Sequence, residues 1–104
     1  LKILKTILLE IKNTLSEWDG ELVFLYLPSN GNRTQDKIKL FKDIASTTKS
    51  LNIDLINLIM VFQKHGKNSE QIFTHKYSHY SVLAHKLIAN EILSYLKKRN
   101  LTKN

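Results

Sequence analysis

Glu21-Leu22-Val23-Phe24-Leu25-Tyr26-Leu27 is the stretch whose reading decides the fold. Everything after Glu21 in it is apolar, and valine and the two aromatic residues suit a pleated surface. The run is too short for a helix and is closed by Asp19-Gly20 on one side and Pro28 on the other. A strand with one wet face would alternate apolar and polar residues. This one does not, which predicts a strand covered on both faces, as in a parallel sheet flanked by helices.

The segments on either side agree. Leu1 to about Glu17 carries Leu4, Ile7, Leu8, Ile11 and Leu15 at steps of three and four, one stripe of an amphipathic helix that Asp19-Gly20 stops. Trp18 and the tyrosines read as packing residues. Pro28–Arg33 is a loop by composition. Gln35–Ser50 is a second helical pattern, with Ile38, Phe41, Ile44, Ala45 and Thr48 on one face. Leu51–Asn57 is a shorter strand candidate, Leu58–Lys64 a short helix, and Gln71–Phe73 a brief extended piece. After a turn over Thr74–Ser81, a last helix spans about Val82 to Lys98 with Leu83, Leu87, Ile88, Ile92, Tyr95 and Leu96 as its stripe. Alternation of this kind defines an α/β fold with parallel strands and right-handed helical crossovers. Two strands make a narrow sheet, so further strands are expected before Leu1, and a first residue other than Met agrees with that expectation.

At 104 residues the chain is one domain or part of one, and its hydrophobic fraction of 42% is that of a globular protein. It has no cysteine, which excludes a disulfide framework, a thiolate nucleophile and a cysteine-ligated metal. The apolar start is broken by Lys2, Lys5, Glu10 and Lys12, far short of the roughly 18–20 apolar residues of a membrane span, so no transmembrane segment is expected. No small-residue cleavage site follows it either. The net charge is +7, but the lysines are scattered, and the one run, Lys97-Lys98-Arg99, falls at the end of the last helix, where the dipole favours cations. That pattern predicts a solvated basic surface and no nucleic-acid partner.

In an open parallel sheet, ligands bind beyond the carboxyl ends of the strands. Pro28–Arg33, Asn57–Leu58 and Thr74–Ser81 are the segments that leave or approach that edge. The last holds His75, Ser78, His79 and Ser81, with Tyr77 and Tyr80 interleaved. An imidazole held just before a helix can serve as general base, since its reference pKa of roughly 6.5 suits proton transfer near neutrality. His79 is the candidate catalytic residue. Ser81 reads as the N-cap of the last helix rather than a nucleophile. Ser29 lies in an ordinary turn that lacks the Gly-x-Ser-x-Gly elbow, and Asp54 reads as a strand start or edge. Zinc on His75, His79 and His85 is disfavoured because the first two flank a turn and no carboxylate adjoins them; no metal or other cofactor is expected. His85 is expected to lie near the site without doing chemistry.

His79-Tyr80-Ser81-Val82-Leu83-Ala84-His85, continuing through Leu87 and Ile88 to Ile92, resembles the C-terminal signature of the SGNH/GDSL hydrolases. That signature places an acid two or three residues before a histidine, then a polar residue, Gly-His and an apolar helix. Ile53–Phe62 is similar to the family's last strand and the short helix after it, Ile72-Phe73 to the approach to the histidine, and Glu21–Ser29 to the penultimate strand. The likeness spans most of the chain, and its specific part is His79–Ile92. It implies a three-layer α/β/α flavodoxin-like fold with a parallel sheet, incomplete in this chain, which would be the C-terminal half of a single domain. It implies a serine esterase or acyltransferase whose substrate is an ester-containing small molecule, a lipid or an O-acylated sugar. His79 would be the general base, and the nucleophilic serine and oxyanion donors would lie in an upstream half. The pattern departs at Lys76 and Tyr77, where the orienting acid would fall, and at Ala84, where the family has glycine. The alternative is a non-catalytic, degenerate α/β module with a basic binding surface.

Overall fold

The computed structural model describes residues 2–28, 35–64, 69–74 and 79–99. Its elements are α1 (Lys2–Ser16), β1 (Val23–Tyr26), α2 (Gln35–Ser50), β2 (Asp54–Asn57), α3 (Leu58–Lys64), α4 (Ser69–Ile72) and α5 (Val82–Lys98). β1 and β2 pair in parallel as a two-stranded sheet, so the protein is mixed α/β with a crossover through α2. The described residues form two compact units. One contains α1, β1, α2 and β2 as far as Ile56; the other contains Leu27, Pro28, Asn57 and α3 to α5.

In the first unit, both helices that lead into strands stop by the same device. The Gly20 amide donates to the Leu15 carbonyl at 2.8 Å, the Asp19 amide to Ser16 at 3.4 Å, and Asp19 has φ 59°. The Ile53 amide donates to Thr48 at 2.8 Å, the Asn52 amide to Lys49 at 3.1 Å, and Asn52 has φ 58°. These are Schellman closures, with Asp and Asn in the left-handed position usually given to glycine. Gly20 serves a different need: a Cβ on it would lie 3.2 Å from the Leu15 carbonyl oxygen. The second closure uses up Leu51–Ile53, which is why β2 starts at Asp54 and not at Leu51 as the apolar run suggested.

Lys12 reaches from α1 to the Leu51 carbonyl and so neutralises the carboxyl end of α2. Tyr26 of β1 meets Phe41 of α2 edge to face, with ring centroids 5.0 Å apart. Leu8, Ile44, Ile53 and Ile56 are buried, together with Thr48, whose hydroxyl donates to the Ile44 carbonyl at 3.0 Å. The α1 stripe is covered only in part. Leu8 is buried and Leu4 and Leu15 half-buried, but Ile7 and Ile11 are 48% and 40% exposed. Trp18, at 66%, is not the packing residue expected. All of β1 is half-buried.

In the second unit α3 and α4 pack on α5. Leu58, Phe62, Ile72, Phe73, Ala84 and Leu87 are its buried side chains. The extended piece expected over Gln71–Phe73 is instead a helical turn, Ser69–Ile72. Only Phe73 is extended, in an isolated antiparallel bridge to Tyr80. The carbonyls of Gln71 and Ile72 are engaged by Ser81 rather than by a neighbouring strand, so a local turn meets their needs.

Candidate functional site

The second unit holds Pro28, two residues past β1 in the sequence, and Asn57, the last residue of β2. Asn57, the last residue of β2, turns the chain into α3 by accepting the Ile59 amide on its side-chain oxygen at 3.0 Å, a local cap of the kind asparagine favours. Pro28, just past β1, has its carbonyl engaged by the Tyr80 hydroxyl. This hydrogen bond lies within the second unit and ties Pro28 to the approach to α5.

That approach is clamped from several sides. Phe73 and Tyr80 form the bridge, and their rings stack at 5.0 Å and 27°. The His79 carbonyl accepts the Thr74 amide at 2.8 Å and the Thr74 hydroxyl at 3.2 Å. Ser81 closes the other side: its amide donates to the Ile72 carbonyl at 2.7 Å and its hydroxyl to the Gln71 carbonyl at 2.6 Å. The same hydroxyl accepts the Ala84 amide at 3.1 Å, and with φ −73° and ψ 167° Ser81 is the N-cap of α5, as its place in the sequence predicted.

His79 lies on this clamp, its backbone held by Thr74 and its residue exposed. Exposure at a fixed backbone position is what a proton acceptor for a bound substrate requires. His85 is one turn into α5, exposed, with its ring 6.2 Å from that of Tyr80 in an edge arrangement. The Phe62 ring centroid lies 6.1 Å from that of Tyr80, with the rings tilted at 47°. Burial among these rings raises the Tyr80 phenol above its ordinary value.

His75, Ser78, Ser29, and Lys76 and Tyr77, where the resemblance implies an orienting acid, lie outside the described residues. Asp54 is the first residue of β2, the strand start expected of it. Among the described residues no three histidine, cysteine or carboxylate groups come together to hold a metal. None of the described helices is long and apolar enough to cross a membrane. Two contributors were not singled out from sequence: Thr74, which bonds the His79 carbonyl, and Tyr80, whose hydroxyl donates to the Pro28 carbonyl. The Tyr80–Pro28 pair is separated by 52 positions, and nothing in the local pattern marks it. Ala84 has no exposed surface, so the place where the resembled family has glycine holds a small, fully buried side chain here.

No family model, curated protein or solved structure matches this chain significantly.

Proposed function

We propose that the chain is the C-terminal part of an SGNH/GDSL-like serine ester hydrolase or O-acyltransferase, with His79 as general base. The observation that carries the reading is an exposed His79 whose carbonyl is held by Thr74 just before the Ser81 cap of α5, in the unit that also holds Pro28 and Asn57, the residues that follow or close the two parallel strands at their carboxyl ends in the sequence. Ligands of such sheets bind at that edge. The partly covered helix α1 and the half-buried β1 add support, since both present apolar surface that the remainder of a larger sheet domain would cover.

In the reaction, a serine from the upstream half attacks the ester carbonyl while the His79 imidazole takes the hydroxyl proton. The carbonyl oxygen becomes an oxyanion held by upstream donors. As the C–O bond to the alcohol breaks, the imidazolium returns the proton to the leaving oxygen, and water or a second alcohol then releases the acyl group by the same exchange. A base that lacks an orienting carboxylate loses turnover on the order of 10⁴-fold in a serine hydrolase. With Lys76 and Tyr77 in the acid's places, slow catalysis is the expected outcome unless another group orients the ring.

The test is ester cleavage, followed with p-nitrophenyl acetate, by the protein that includes the upstream half. His79→Ala should abolish turnover, and His85→Ala should leave most of it. The isolated chain should show none. Full activity in His79→Ala would remove the assignment. Equal losses from His75→Ala, His79→Ala and His85→Ala, with zinc restoring chelated wild type, would replace it with a metal site.

A further inference from the structure

The two sides of α5 are of different kinds. Ala84 and Leu87 are buried, and α3 and α4 pack on the helix. Away from them Val82, Lys86, Ala89, Leu93 and Lys97 follow at steps of three and four, and every one of these residues is exposed. At about 3.6 residues per turn such steps make one stripe, which at a rise of about 1.5 Å per residue is about 22 Å long. It mixes apolar side chains with cations. Val82 and Leu93 are 72% and 45% exposed, and Lys86 and Lys97 follow each of them by one turn. The one acid of α5, Glu91, is half-buried and about 140° round the axis from Lys86. Among the described residues no carboxylate forms an ion pair with either lysine.

This mixture discriminates among the surfaces that could meet it. A protein face closing over the stripe would bury two ammonium groups for which α5 supplies no counter-charge, at a large cost in desolvation. A nucleic acid would use the lysines but has no place for valine and leucine, and the stripe offers no aromatic ring on which bases stack. A bilayer rich in anionic lipid takes both kinds. Lysine stems reach to the headgroup phosphates, and the apolar side chains between them enter the acyl boundary. We propose that the outer stripe of α5, from Val82 to Lys97, is a docking surface for an anionic lipid bilayer, with the helix lying in the plane of the headgroups. The docking is independent of the hydrolase reading of His79. It is peripheral and reversible, because each cation near such a surface strengthens binding about fivefold, the equivalent of about 1 kcal/mol, and salt screens the attraction.

The experiment floats the full chain on vesicles of equal parts phosphatidylserine and phosphatidylcholine, with vesicles of phosphatidylcholine alone as the comparison. Wild type should bind the anionic vesicles, lose them as salt rises, and bind the neutral ones weakly. Lys86→Gln with Lys97→Gln should lower the affinity about 25-fold. Lys42→Gln with Lys49→Gln removes the same charge from exposed positions of α2 and should stay within about twofold of wild type. Val82→Gln with Leu93→Gln keeps every cation and should still cost about tenfold. Equal losses from the two lysine pairs would reduce the attraction to net charge and overturn the proposal. Equal binding to neutral vesicles overturns it as well. So does an apolar pair that changes nothing, and a DNA duplex bound as tightly as the vesicles would then identify a general polyanion site. A measurement on wild type needs no variant to fold: acetylation of lysines followed by mass spectrometry should show Lys86 and Lys97 shielded by anionic vesicles, with Lys42 and Lys49 reacting as before. Shielding of all four, or of none, rejects the docking surface.

Discussion

Ser81→Ala removes one hydroxyl that makes two bonds. As acceptor it caps α5 through the Ala84 amide at 3.1 Å, and as donor it holds the Gln71 carbonyl at 2.6 Å. Loss of a serine cap costs about 1 kcal/mol. The second bond is solvent-exposed and adds about 0.5–1 kcal/mol. The sum, about 1.5–2 kcal/mol, corresponds to a fall in thermal midpoint on the order of 10 °C for a domain of this size. Two further substitutions separate the contributions. Ser81→Thr keeps donor and acceptor and should stay within about 0.5 kcal/mol of wild type. Ser81→Asp keeps the cap but turns a carboxylate toward the Gln71 carbonyl, and should recover half of the loss at most. Far-UV circular dichroism during heating measures all three. An Ala variant with an unchanged midpoint would refute the cap, and an Asp variant equal to serine would refute the Gln71 bond. The same series tests chemistry: a cap is not a nucleophile, so folded Ser81→Ala with its upstream half should still cleave ester. Complete loss of turnover in a fully folded Ser81→Ala would make Ser81 the attacking group.

Two other outcomes follow from strain and from titration. Asn52 holds φ 58° at the end of α2, so Asn52→Gly should raise stability by a few tenths to about 1 kcal/mol in urea unfolding, whereas Asn52→Ala should lower it. The Tyr80 phenol titrates above its ordinary 10.0 in the folded state, so its contribution is intact below that value and lost as pH rises through the folded one; an alkaline decline in stability should be shallower in Tyr80→Phe, and an identical decline would show that Tyr80 has no part in it.

Legibility in the sequence followed the range of the forces involved. The bounds of α2, α3 and α5 are local matters of capping and periodicity, and each was expected where it occurs. Ser81 was readable for the same reason. Leu51–Ile53 was read as strand because its apolar residues do suit one. What competes is the Schellman closure, and its signal, an asparagine at the left-handed position, is weaker than a glycine. At Asp19-Gly20 the stop was legible but its workings were not, since the aspartate takes the positive φ and the glycine relieves a close approach to Leu15. Ile7, Ile11 and Trp18 fit the expected packing pattern and are nonetheless exposed. Periodicity states which residues could be covered together, not how much surface is at hand to cover them.

The candidate site divides along the same line. Much of the stretch from His79 to Ile92 meets demands that any clamped helix start would make. Ser81 caps, Ala84 fits where no surface is left, and Leu87 is buried a turn later. A resemblance built on those positions alone would be a resemblance of folding needs. His79 differs from them. It enters the clamp through its carbonyl oxygen, which any residue supplies, so the bonds from Thr74 do not call for an imidazole. The clamp explains why the backbone of residue 79 is fixed, and the hydroxyl of the next residue, Tyr80, donates to the Pro28 carbonyl. The side chain of His79 is exposed. The His79 substitutions therefore test the proposed base more directly than any change in the helix that follows.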